Sequence, residues 1–180
     1  MEQVFSYAVD GEDRLISVGP SWDCFAHDNG AENLDEKSIL GQTIWLFLAN
    51  PGVREIYQSI FRRVRQSQKH LEVSFRCDSP SLRRFMAISI QPGPNNGLLL
   101  TSRLLRAEPR TRMPFLDSEK PRTQDFLVIC SWCKKVKDDP DWIEIEVAVE
   151  NNSALQGEDF PQMTHGICQP CKAEALQGTH

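Results

Sequence analysis

Asn50-Pro51-Gly-Val-Arg-Glu-Ile-Tyr-Gln-Ser-Ile-Phe-Arg-Arg-Val-Arg65 sets the frame for the N-terminal part of the chain. Asn50 has a side chain suited to capping a helix, and Pro51 fits the first helical position, where a missing N–H costs nothing. Val53, Ile56, Tyr57, Ile60, Phe61 and Val64 then recur at three- and four-residue steps, with Arg54, Glu55, Gln58, Arg62 and Arg65 on the other side. The spacing predicts a long amphipathic helix with one face buried on another element.

The sequence after it supplies a sheet. Leu71, Val73, Phe75 and Cys77 alternate with Glu72, Ser74 and Arg76 up to the turn Asp78-Ser-Pro-Ser81. Phe85 to Ile90 reads as a second strand, Pro92-Gly-Pro-Asn-Asn-Gly97 as a turn, and Leu98 to Leu105 as a third strand. Before the helix, Val4–Val9 and Leu15–Val18 flank Asp10-Gly-Glu-Asp13 as a hairpin does. An irregular stretch with short helical possibilities follows, holding Trp22, Phe25 and the polar run Asp28–Asn33, and then the apolar block Ile44–Leu48. The expected fold class is α+β: a five-stranded antiparallel sheet with helices on one face.

Ala107 to Gln124 breaks this pattern with prolines, charges and no periodicity, and reads as a linker with order around Met113–Leu116. The domain plan is therefore 1–106, a linker at 107–124, and a C-terminal module at 125–180. That module is small for apolar burial alone, but it carries Cys130-Ser-Trp-Cys133 and Cys168-Gln-Pro-Cys171. Two C-x-x-C turns can close a tetrahedral four-thiolate shell of the kind Zn²⁺ takes in structural sites, and an iron–sulfur cluster is the competing occupant. His165 is placed to replace one cysteine or to support the turn from outside. Neither pair is followed by His, which excludes attachment of c-type haem. Between the pairs, alternation over Ile143–Glu150 argues strand, whereas Asp141 with Glu144 argues a helix capping box; helix is the expectation.

Taken together, the hairpin, the Gly41-Gln-Thr-Ile-Trp-Leu-Phe-Leu48 block, the long helix and the three strands resemble a PAS domain over residues 4 to 106. Gly41, Trp45 and Phe47 stand where that family has its Gly-x-x-hydrophobic-Trp-x-Phe stretch. The C-terminal part, with Ile129–Val136, Trp142 and Thr164–Cys171, looks like a cysteine-rich segment found beside PAS and response-regulator modules in bacterial signalling proteins. The resemblance implies sensing or protein interaction, with dimerisation common and ligands varied, and no catalysis. The Asn-Cys-Arg-Phe block of the light-sensing branch is missing between Leu34 and Asn50, which disfavours flavin photochemistry. His70 is the one candidate haem ligand near the expected place, and a histidine at a helix end ordinarily serves the helix dipole and solvent.

Arg76, Asp78, Arg83 and Arg84 form a charged group at the strand turn. Arg84 shares parity with Met86 and Ile88, so Arg84 and Arg76 are candidate residues for binding an anionic ligand, with an internal pairing to Asp78 as the plainer alternative. Cys24 and Cys77 read as buried inert thiols.

The net charge of −5 and a pI near 5.4 argue against a general nucleic-acid binder. No apolar run is long enough for a membrane span, and Met1-Glu-Gln-Val-Phe5 lacks the marks of a secretory signal. The expectation is a cytoplasmic signalling protein, not an enzyme, in which a PAS sensing or interaction domain is coupled to a structural zinc module. It would act as a homodimer through contacts with another protein. The alternative is a zinc-ribbon interaction or nucleic-acid module, with Trp132, Lys134, Lys135 and Lys137 as its surface and the PAS part as a dimerisation scaffold.

Overall fold

A computed structural model describes residues 4–28, 34–48 and 50–177; most of the polar run expected at 28–33 lies outside them. The fold is α+β. Strands β1 (Val4–Val9), β2 (Leu15–Val18), β3 (Leu71–Arg76), β4 (Leu82–Pro92) and β5 (Leu98–Pro109) make one antiparallel sheet in the order β2-β1-β5-β4-β3. Helices α1 (Trp22–Asp28), α2 (Glu36–Ile39) and α3 (Pro51–Ser67) lie between the hairpin and the last three strands in sequence. A second sheet follows, from β6 (Arg122–Cys130), β7 (Val136–Asp138), β8 (Asp141–Ile143) and β9 (Phe160–Gly166), with α4 (Ile145–Asn151) and α5 (Gln169–Gln177).

Helix α3 forms where its pattern places it. The Asn50 carboxamide oxygen accepts from the Val53 amide at 3.1 Å, and Gln68 ends the helix in the left-handed region at φ 54°. Its buried face, Val53, Ile56, Ile60, Phe61 and Val64, joins one apolar cluster with Leu71, Val73, Ile88, Ile90, Leu98 and Leu100 of the sheet. Each such side chain contributes about 1.5–3 kcal/mol on burial, so this face holds the helix in place. The β1–β2 turn is fixed from both sides. Asp10 accepts from the Glu12 and Arg14 amides, while Arg65 of α3 pairs with Asp13 at 2.7 Å.

The second sheet explains the long interval between the cysteine pairs. β6 and β9 are parallel, with Ile129 beside His165 and Cys130 beside Gly166. A parallel pair needs a crossover, and β7, β8 and α4 supply it. Both readings of 142–150 capture part of this segment. Trp142 and Ile143 end strand β8, and the helix begins only at Ile145. Glu144 is the helix N-cap without a side-chain cap bond, so the expected Asp141/Glu144 capping box does not form.

Ala107–Gln124 is more ordered than a linker. β5 continues to Pro109, past the boundary drawn at 106, and Met113 and Phe115 are buried with Leu127, Ile129, Ile145 and Phe160 in a second apolar cluster. Cys24 is exposed on α1, contrary to the buried thiol expected there, and Cys77 is half-buried. No helix among the described residues is long and apolar enough to cross a membrane.

Candidate metal centre

Each cysteine pair is presented by a different kind of turn. Cys130 ends β6, and the chain reverses through Ser131-Trp132-Cys133 into β7, with the Cys130 amide donating to the Lys135 carbonyl at 2.8 Å. Lys134 completes the reversal at φ 62°, in the left-handed region that glycine adopts more readily. Its ammonium donates to the Ser131 carbonyl at 2.9 Å. Cys168 stands just before α5 and Cys171 in its first turn, where unpaired helical amides favour negative charge on sulfur.

The parallel pairing of β6 with β9 brings the turns together. The Ser131 amide donates to the Gly166 carbonyl at 2.9 Å. A side chain at Gly166 would be tight, since a Cβ there would lie 3.1 Å from Val128 and 3.3 Å from Trp142. The Cys130 and Cys133 sulfurs each lie 3.7 Å from the Cys168 sulfur, and all four Sγ atoms fall within 4.8 Å of one another. Such a cluster could hold a metal ion. Cys130, Cys168 and Cys171 are buried and Cys133 is half-buried.

Without a cation the sulfurs compete for protons. Hydrogen bonds from Cys133 and Cys171 push the Cys130 thiol far below its ordinary value. The same bonds, with burial, push Cys171 far up and Cys133 up to about 12. Four sulfurs at this spacing cannot all ionise unless a positive charge sits between them.

His165 is not a member of the sulfur cluster. It lies on β9, where its carbonyl accepts from the Asn50 carboxamide, and desolvation together with the Lys134 charge lowers its imidazole below the ordinary value. Arg76 and Arg84 are committed to internal partners. Arg84 donates to the Cys77 carbonyl at 2.7 Å. Arg76 grips Asp78 at 2.5 and 3.2 Å and reaches Glu144 at 2.9 Å.

Two features differ from the sequence reading or escaped it. Trp132, expected on the surface of a basic patch with Lys134, Lys135 and Lys137, is instead buried in the α3 cluster, its ring 5.4 Å from that of Tyr57, so the turn inserts an anchor into the first sheet's core. An aromatic residue between two cysteines in a tight turn was the available signal. Arg110, in the segment read as linker, binds Asp78 at 3.1 Å and Glu146 at 3.4 Å, while Arg83 meets Glu146 at 2.6 Å. Nothing in spacing or periodicity marks that network. No protein-family model matches the chain, and no curated protein matches it significantly.

Proposed function

We propose that the chain is a PAS-type sensing or interaction protein whose C-terminal module carries a structural zinc ion, and that it signals through contacts with another protein. The observation that carries this reading is the shared core. Cys130, Trp132, Cys168, Cys171 and Ala175 belong to the same apolar cluster as α3 and the first sheet, so the metal-bearing turn is built into the sensing fold.

Zinc is supported by the donor set and its spacing. Four thiolates around Zn²⁺ with Zn–S near 2.3 Å would stand about 3.8 Å apart, close to the two separations of 3.7 Å. Sulfurs within 4.8 Å of one another leave room for one ion and not for a multi-iron cluster. Cys130, Cys133, Cys168 and Cys171 would hold it, Lys134 would offset its excess negative charge, and a closed shell leaves no position for substrate. The PAS part of the reading is supported by the order of hairpin, short helices, long helix and three strands. Gly41 takes a left-handed φ of 80°, and the Trp45 ring lies 5.4 Å from Phe61 with its indole N–H on Asp13.

Nucleic-acid binding is disfavoured by the fate of the lysine patch, because Lys135 pairs with Glu144 and Lys137 with Asp139. A homodimer through the outer sheet face suits Leu99, which is 41% exposed although it lies on the long strand β5. The segment after β5 does not cover it, since Met113 and Phe115 are buried in the second cluster. Leu105, expected on the same face, stands at an irregularity in the β4–β5 pairing and lines a pocket with Trp132 and Cys133. Sedimentation of the metal-loaded protein tests the proposal. A dimer that becomes a monomer on Leu99→Glu, with zinc retained, is expected. A strict monomer at high concentration removes the dimer, and a folded protein without zinc removes the metal module.

A further inference from the structure

A cavity of about 470 Å³ opens between the first sheet and the cysteine turn. Phe75 of β3, Phe85 and Met86 of β4 and Leu105 of β5 give it apolar walls, and Cys133 and Cys171 of the sulfur cluster line it as well. Leu105 is 45% exposed and the two phenylalanines are half-buried, so the apolar wall is open to an entering molecule. The volume falls in the range of small-molecule sites, roughly 300–1,000 Å³.

The four sulfur-bearing residues around the metal centre are not equally shielded. Cys130, Cys168 and Cys171 are buried, and Cys133 alone is half-buried. A molecule in the cavity therefore meets Cys133 first. A metal-bound sulfur is a thiolate, the form that attacks peroxides, and among thiolates access decides which reacts. The Cys133 and Cys168 sulfurs lie 3.7 Å apart, so closing a bond of about 2.05 Å between them needs a shift of less than about 2 Å.

We propose that the cavity takes an organic hydroperoxide and that Cys133 is the residue it oxidises. The Cys133 thiolate attacks the terminal oxygen of the hydroperoxide, the O–O bond breaks, and the alkoxide takes a proton from water to leave as an alcohol. The Cys168 thiolate then attacks the sulfenic sulfur of Cys133 and expels hydroxide, which is protonated to water. Two thiolates, one hydroperoxide and two protons thus give one disulfide, one alcohol and one water. The loss of two donors frees the metal ion. Trp132, held between Cys130 and Cys133 and buried in the first sheet's core, carries the change to that sheet. The inference names a signal for the sensing reading and rests on the cysteine module being loaded with metal.

The test exposes the full, zinc-loaded chain to cumene hydroperoxide and, separately, to hydrogen peroxide. Released zinc is read with a chromophoric chelator. Cysteines are mapped by mass spectrometry after sulfenic acid is trapped with dimedone and free thiol with iodoacetamide. Cys24, exposed on α1, is the internal reference. With each rate divided by that at Cys24, cumene hydroperoxide is expected to oxidise Cys133 about tenfold faster than hydrogen peroxide does, the gain that burial of part of an aromatic ring supplies. Zinc release should keep pace with a Cys133–Cys168 disulfide. Leu105→Trp, which fills the cavity from an exposed position and leaves all four cysteines in place, should cancel most of the preference with zinc content unchanged. A preference no larger than at Cys24, first oxidation at another of the four cysteines, or a disulfide between another pair overturns the proposal. A folded Leu105→Trp variant that keeps the full preference does so too. Zinc content before oxidation separates the failures. A loaded protein that fails these tests refutes the hydroperoxide site alone, and a folded, zinc-free protein refutes the metal reading and the proposal with it.

Discussion

The amide of Arg76 donates to the carbonyl of Trp132 at 2.6 Å, which joins the free edge of the first sheet to the cysteine turn. Among the described residues β3 is an edge strand, paired only with β4, and an open edge is a liability that folds ordinarily cover. Here the cover is the turn that carries half of the sulfur cluster. The same residue is anchored twice more, through its side chain to Asp78 and to Glu144. Loss of order at the cysteines would therefore reach the first sheet directly.

That coupling changes what a ligand variant should do. Cys168→Ser is expected to release the metal and to lower protection against hydrogen exchange in α3 and β3 as well as in α5, because Trp132 leaves the shared core with the turn. Removing the metal with a chelator should reproduce the pattern. Exchange confined to residues 125–177 in either experiment would show that the two parts fold independently.

Asp78 is expected to be the most sensitive carboxylate for stability. Its side chain is 2% exposed and it faces both Arg76 and Arg110, the latter 4% exposed. Asp78→Asn leaves two buried guanidinium groups short of a counter-charge and should cost about 3–5 kcal/mol in denaturant unfolding. A loss under about 1 kcal/mol would mean that the network is solvated in solution.

Glu146 gives the fold an acid limb. Burial alone would raise its carboxyl, but the Arg83 hydrogen bond and the Arg83 and Arg110 charges outweigh it and hold the group below the ordinary 4.5. A lowered folded value contributes stability that is complete above the unfolded value and lost as pH falls through the folded one. Glu146→Gln should thus be less stable than the parent at neutral pH, with the gap closing below about pH 4.5. Both proteins are compared with zinc present in the same buffers, so that acid release of metal is common to them. A gap independent of pH would contradict the assignment.

Lys134 holds a left-handed backbone, which costs a side-chain-bearing residue about 1–2 kcal/mol, and recovers part of it through the Ser131 carbonyl. Lys134→Gly should stay within about 1 kcal/mol of the parent, while Lys134→Val, branched at Cβ, should lose more than that and give up metal faster to a chelator. Valine outperforming glycine would overturn the geometry of the turn.

Much of this was legible in residue patterns. Asn50-Pro51 and the periodicity of α3 located the helix, the alternation after Leu71 located the meander, and the two C-x-x-C turns named the four cysteines whose sulfurs come together. These signals are local, set by one helix period, one strand period or one turn. What escaped depends on contacts between segments remote in sequence. Nothing in Ser131-Trp132 says that the ring enters a core formed by residues 53 to 100. The pairing of Arg110 with Asp78 joins a stretch without periodicity to a hairpin turn. Parallel pairing of β6 with β9 could be inferred only in part, since a long interval between cysteines requires a subdomain but does not dictate its order. Arg84 kept its place on β4, yet its charge went to a backbone carbonyl that parity cannot reveal.

X-ray absorption at the zinc edge of the purified protein, with metal content measured on the same sample, tests the central claim most directly. About one zinc per chain with four sulfur neighbours near 2.3 Å is the expected result. A shell containing nitrogen or oxygen, or a folded protein whose metal is iron with visible charge-transfer bands, would contradict it.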